Sequence, residues 1–102
     1  MDRIDKLKEF LLQSPEDSFL QHALALEYIK LEQDDEARIL FEEILCRDPS
    51  YVGSYYHLAK LLERKGENEL AMEWYEKGMQ TAKHLSDNHA YNELQMAYDD
   101  LL

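Results

Sequence analysis

Whatever chemistry this sequence offers rests on four histidines, one cysteine and a short basic stripe. His22, His57, His84 and His89 make no H-x-x-x-H or H-E-x-x-H pair, and Cys46 has no C-x-x-C partner. No local spacing therefore supports a metal site. If a fold brought His22 and His57 to one face, they could bind zinc weakly or sense pH; the plainer alternative is polar lining of a groove. Cys46 falls late in a helical stretch, far from the helix N-terminus that would lower a thiol pKa, so a packing role is expected. Carboxylate runs such as Asp34–Glu36 read as solvated faces, and the sequence holds neither a glycine-rich phosphate loop nor a nucleophile elbow. No catalysis and no cofactor are expected. Tyr56, Lys60 and Arg64 recur every four residues, which on a helix makes one aromatic and basic stripe. Two readings stand for it: it receives an acidic group of a partner, or it is a solvated surface paired with Glu63 and nearby acids.

The bulk numbers narrow the partners. Among 102 residues, 22 are acidic and 11 basic, for a net charge of −11. Such a chain repels phosphate backbones and anionic membranes, so neither nucleic acid nor a membrane surface is expected. One cysteine excludes an internal disulfide and suits a reducing compartment. The N-terminal MDRIDKLKEFLL mixes charge into its apolar residues, unlike a signal peptide. No apolar run approaches the roughly 20 residues of a membrane span. A soluble, cytoplasmic protein is the reading.

Elements must position these residues, and composition favours helices. Leu, Glu, Lys and Ala outnumber Val, Ile and Thr, and only 3 Gly and 2 Pro interrupt the chain. Ile4, Leu7, Phe10, Leu11 and Leu12 predict a first helix ending near Gln13. Ser14, as cap, and Pro15, as first helical residue, are expected to open a second helix running to about Leu31. Its FLQHALALEYIKL is apolar on most sides, which predicts burial or contact with a partner. A third helix covers about 35–47, with Ile39, Leu40, Phe41, Ile44 and Leu45 as its apolar set. Asp48 and Pro49 repeat the cap-and-proline device. A fourth spans about 51–65, with Tyr55, Leu58, Ala59, Leu61 and Leu62 inward and Gly66 as its stop. The fifth runs from about Glu67 to His84. The sixth takes the remainder, with Tyr91, Leu94 and Tyr98 on one stripe.

Two of these stretches correspond. EARILFEEILCRDP (36–49) and LAMEWYEKGMQTAK (70–83) align at an offset of 34: Ala37 returns as Ala71, Phe41 as Tyr75, Glu42 as Glu76. Pro15/Pro49, Leu24/Leu58 and Ala25/Ala59 obey the same offset. Antiparallel helices approach to about 8–10 Å, and the closest point needs a small residue from each. Ala25 with Ala37, and Ala59 with Ala71, fill that need, and Phe41 and Tyr75 fill the wedge beside it.

A helix–turn–helix unit with this period resembles the tetratricopeptide repeat family. Leu24, Ala25, Tyr28, Ala37, Phe41 and Pro49 stand at its signature positions in one repeat. Tyr55, Leu58, Ala59, Leu62, Gly66, Ala71 and Tyr75 do so in the next. Gln21 departs from the favoured Trp or other large residue, Ile44 and Gly78 replace a usual Ala, and Lys83 replaces Pro, so the fifth helix is expected to run long. The resemblance implies an all-α, right-handed superhelical α-solenoid of antiparallel helix pairs, about six helices in one domain over 1–102. Its parts would be an N-terminal half-repeat helix at 1–14, repeats at 18–51 and 52–85, and a capping helix at 86–102. It also implies a non-catalytic module binding a peptide or protein on its concave face. By register that face would carry Phe19, His22, Leu26, Ile29, Lys30, Tyr56, His57, Lys60, Glu63 and Arg64. The convex side would hold acids including Asp34, Asp35, Glu36, Glu42, Glu43, Glu67, Glu69, Glu73 and Glu76. Either the apolar part of the concave face is open or a terminal helix packs over it. Some family members clamp a chaperone tail's carboxylate with Lys, Asn and Arg; His22, Leu26 and His57 stand at the matching places, so that ligand is not expected. The alternatives are a weak homo-oligomer assembled through the apolar second helix, as against a monomer, and a non-catalytic regulatory subunit.

Overall fold

The computed structural model describes residues 2–102; Met1, the first residue of the expected 1–14 helix, lies outside the described residues. Six α-helices account for the secondary structure among them: α1 Arg3–Gln13, α2 Ser18–Lys30, α3 Asp34–Arg47, α4 Gly53–Arg64, α5 Asn68–His84 and α6 Asn88–Asp99. They gather into two compact units, Met1–Asp48 with α1 to α3, and Pro49–Leu102 with α4 to α6. Among the described residues no helix is long and apolar enough to cross a membrane.

In the first unit α1 packs on α2, and α2 on α3. Leu7, Ala23 and Leu24 form a cluster to which Ile4, Leu11, Leu20, Tyr28 and Leu40 add their inner sides. Ala25, Ala37, Phe41 and Ile44 are wholly buried, as the crossing and the wedge require. Gln21 is buried as well, and its amide is held on both sides. Its Nε2 donates to Glu43 Oε2 (3.3 Å), and its Oε1 accepts from Arg47 Nη2 (2.6 Å), which also donates to Ser18 Oγ (3.0 Å). A buried amide needs such partners, since leaving one unmade costs about 1–3 kcal/mol.

In the second unit α4 packs on α5 and α5 on α6. Tyr55, Leu58, Ala59, Leu61 and Leu62 of α4 are all buried, as are Ala71 and Tyr75 of α5 and Leu94 and Ala97 of α6. At Gly78 α5 lies close against α4: a Cβ there would lie 2.7 Å from the Cβ of Tyr55 and 3.0 Å from a Leu94 methyl. The same two register positions hold Ile44 and Gln21 in the first unit. Tyr55, which takes the large-residue place, donates from its hydroxyl to the Pro49 carbonyl (2.7 Å). α5 runs to His84, 17 residues against 14 in α3, as the missing proline leads one to expect.

Three helices end in one backbone device. After α2, the Glu32 N–H donates to Ile29 O (3.0 Å) and the Gln33 N–H to Tyr28 O (2.9 Å). After α4, Gly66 N–H meets Glu63 O (2.9 Å) and Glu67 N–H meets Leu62 O (2.9 Å). After α5, Ser86 N–H meets Lys83 O (3.1 Å) and Asp87 N–H meets Ala82 O (2.8 Å). These are Schellman closures, which satisfy carbonyls that the helix leaves open and demand a left-handed residue. That residue is Glu32 (φ 60°), Gly66 (φ 81°) and Ser86 (φ 58°) in turn.

The structure corrects several expectations. Ser14 does not cap α2; it ends α1, its N–H on Phe10 O (3.0 Å), and the α2 cap is Asp17, whose carboxylate accepts from Leu20 N–H (3.0 Å). Pro15 disfavours helical geometry at Ser14, and Pro15 and Glu16 form a turn before the helix starts. Asp48 likewise ends α3, and α4 begins only at Gly53, with no side-chain cap at Val52. Ile39 is exposed, because Ala37, Phe41, Ile44 and Leu45 already define the buried stripe of α3. Cys46 is exposed too, outside that stripe, so it takes no packing role. α2 is only part-buried: its Phe19 is 69% exposed.

Candidate functional site

The first helix of each repeat presents its own face. On α4, Tyr56, His57, Lys60 and Glu63 are half-buried and Arg64 is exposed. Tyr56 sits edge-on to His57 (5.5 Å between ring centroids) and to the buried Tyr75 of α5 (6.4 Å). The Lys60 ammonium lies 5.6 Å from the Tyr56 ring and 3.6 Å from Glu63 Oε2. The Tyr75 hydroxyl donates to that same carboxylate oxygen. Of the stripe read from the sequence, Tyr56 and Lys60 are tied into a network, with Lys60 shared between a ring and the Glu63 carboxylate, the pairing that the solvated-surface reading expects.

Two titrations carry the imprint of this arrangement. Burial pushes the Tyr75 hydroxyl far above its ordinary value of 10, and the hydrogen bond to Glu63 and that residue's charge push it further. Burial lowers His57 from 6.5; Glu93 of α6 opposes the shift and Arg64 adds to it. Farther along, the Tyr98 hydroxyl is bonded to Glu76, which raises its pKa.

On α2 the corresponding face is apolar. His22 sits edge-on to Phe41 (5.5 Å), the same relation that Tyr56 has to Tyr75. Leu26 and Ile29 are half-buried and Phe19 stands open to solvent. Lys30 pairs along its own helix with Glu27 (3.1 Å), which also binds Arg3 (3.3 Å) from α1. Register explains the contrast: Ile29 and Phe41 stand where the other repeat has Glu63 and Tyr75. One repeat closes this spot with two apolar groups, the other with a donor and an acceptor.

Sequence reasoning placed Tyr75 only as a wedge and passed over Glu93. A signal existed for Tyr75: a buried phenol needs a hydrogen-bond partner that Phe41 does not. His22 and His57 belong to different units, each against an aromatic ring of its own unit. Among the described residues no three His, Cys, Asp or Glu side chains gather as a metal site would require.

The tetratricopeptide repeat pattern matches residues 20–51 and again 52–83. A tetratricopeptide repeat domain protein of Salinibacter ruber is similar in its crystal structure, with 39% identity and a TM-score of 0.80 over 83% of this chain and 94% of that one. The solution structure of a domain so described, from the same organism, gives 40% and 0.82 over 85% and 88%. A Bordetella parapertussis protein, also solved in solution, shares 27% identity, with a TM-score of 0.85 over 99% of this chain and 88% of that one. No curated protein sequence matches.

Proposed function

The chain belongs to the tetratricopeptide repeat family, whose fold serves as a protein–protein interaction or scaffold module, generally without catalysis, and from that premise we propose that it binds a protein segment through its first-helix faces, α4 foremost. The observation that carries this reading is the network on α4. Tyr75 and Lys60 hold Glu63, and Tyr56 holds Lys60, so the charged groups are oriented before a partner arrives. Preorganised side chains lose less entropy on binding. An acidic side chain of the partner would meet Lys60 and Arg64, a ring or aliphatic chain would lie on Tyr56, and His57 lines the same face. The α2 face, with Phe19, His22, Leu26 and Ile29, and Lys30 at its end, suits an apolar stretch. One cysteine and a net charge of −11 accord with a cytoplasmic setting for the pair.

The test is charge reversal. A partner captured from native extract is titrated against the wild type and against Lys60→Glu/Arg64→Glu, with circular dichroism confirming the fold. Loss of about tenfold or more in affinity is expected, of the order that reversing two close charges produces. A partner held equally well by the double variant would remove α4 from the binding surface.

A further inference from the structure

Beside α1 lies a groove of about 430 Å³, lined by Lys8, Glu9, Leu11, Leu12, Pro15 and Gln21. That size is within the range of pockets that take a ligand group. Two of its walls, Pro15 and Gln21, stand 34 residues before Pro49 and Tyr55. In the second unit the corresponding pair is joined: Tyr55 is buried, and its hydroxyl donates to the Pro49 carbonyl (2.7 Å). Gln21 does not repeat this bond. Its amide is turned to α3, where Nε2 donates to Glu43 and Oε1 accepts from Arg47. Between Pro15 and Gln21 the first unit thus lacks the ring that joins their counterparts, and the groove stands there instead, with Leu11 and the 82% exposed Leu12 as apolar walls. Its rim is acidic. Lys8 and Glu9 oppose each other, as do Asp5 and Lys6 one turn earlier and Glu43 and Arg47 on the Gln21 side. Glu16 and Asp17, which border an adjoining depression that shares Pro15, have no such counterweight there. The bond from Leu20 N–H to the Asp17 carboxylate leaves its charge in place.

We infer that this groove receives a tyrosine side chain of a partner protein, carried on a segment with a basic residue beside it. The ring lies against Leu11, Leu12 and Pro15, the hydroxyl donates to the Pro15 carbonyl as Tyr55 donates to Pro49, and the basic neighbour meets Glu16 and Asp17. A phenol joins an apolar body to a polar tip that needs a partner once buried. An aliphatic side chain would leave the carbonyl unused, and an acidic neighbour would be repelled from the rim. Aromatic anchors of this kind, set into a pocket, carry much of the energy of protein–protein contacts. The site belongs to α1 and the turn into α2, in the first unit, so it does not depend on Lys60 and Arg64 of α4.

The probe is the peptide acetyl-Arg-Tyr-Arg-amide, titrated into the isotope-labelled full chain and followed by amide NMR. Saturable shifts at Leu11, Leu12 and Gln21 are expected, with a Kd of about 1 mM, the order that one anchored side chain supplies. The analogue with Phe in place of Tyr should bind about two- to tenfold more weakly, the loss of one hydrogen bond. The analogue with Glu in place of both Arg should bind about tenfold more weakly or worse. Leu12→Glu replaces an exposed wall and should abolish the shifts, with circular dichroism confirming the fold. Lys60→Glu/Arg64→Glu should bind the probe as the wild type does, which separates this site from the α4 face. No shift at these three amides by about 10 mM probe overturns the inference. So does a Phe analogue or a Glu analogue that binds as well as the Tyr probe with Arg, a Leu12→Glu chain that still binds, or loss of binding in the α4 variant.

Discussion

Gly78→Ala is the sharpest test of how α5 meets α4. In an ordinary helix interior the change would stabilise, since Ala is favoured over Gly by about 1 kcal/mol. Here the added carbon would fall 2.7 Å from the Tyr55 Cβ. That atom is bound to the backbone and moves only if α4 moves. The Leu94 methyl at 3.0 Å can swing aside, so Tyr55 sets the cost. Overpacking costs about 1–3 kcal/mol, and a contact with no flexible end belongs in the upper half of that range. Subtracting the helix gain leaves a net loss of about 1–2 kcal/mol. Trp74, the chain's one tryptophan, sits in the same unit with its ring 6.0 Å from Tyr55. Its fluorescence through a urea titration therefore reports this unit. With a urea slope of about 1–2 kcal/mol/M, the midpoint should fall by roughly 1 M. An unchanged or higher midpoint would show that α4 and α5 have slack at this crossing, and the account of Gly78 would be wrong.

Other perturbations separate the remaining contributions. Ala37→Leu, at a wholly buried crossing, should cost about 1–3 kcal/mol in urea denaturation followed by circular dichroism. Glu32→Gly or Ser86→Gly should raise thermal stability by about 0.5–1 kcal/mol, because the left-handed penalty of about 1–2 kcal/mol exceeds glycine's added unfolded-state entropy. Tyr75→Phe removes a hydrogen bond to a carboxylate and should cost about 1–2 kcal/mol at neutral pH. The folded-state pKa of Tyr75 is raised above 10, so its stabilisation is whole below pH 10 and lost above it; alkaline melts of the variant should fall less steeply than those of wild type. His57 has the opposite sign: its folded pKa lies below 6.5, so stability is whole above that value and declines as pH drops through it. His57→Gln should flatten this limb of a stability–pH curve, leaving only the fall due to carboxylates at lower pH.

The helices and their crossings were legible because they follow from single positions. Ala25, Ala37, Ala59 and Ala71 are wholly buried where the repeat offset placed them, as are Phe41 and Tyr75. Long-range pairs were not legible. Arg47 reaches Gln21 across 26 residues, and Tyr75 reaches Glu63 only because α4 and α5 lie side by side. No local pattern encodes either meeting. Caps failed for a different reason: Ser14 and Asp17 are both good caps, and backbone geometry around Pro15 decides between them. Cys46 and Ile39 were misplaced because an apolar residue on an amphipathic helix need not belong to its buried stripe.

The turns after α2, α4 and α5 have a further consequence, for which changes the chain can absorb. Each closes two hydrogen-bonded rings of fixed size, and the rings are made by backbone groups. Glu, Gly and Ser all occupy the left-handed place, so exchange of one side chain for another leaves the rings whole. Insertion or deletion of a residue within them does not: it opens both rings and frees the carbonyls that they had closed. A substitution at the left-handed place costs at most the strain of a side chain there, whereas a length change removes the closure itself, which accords with a 34-residue offset between residues 15–48 and 49–82 in which five positions keep the same residue.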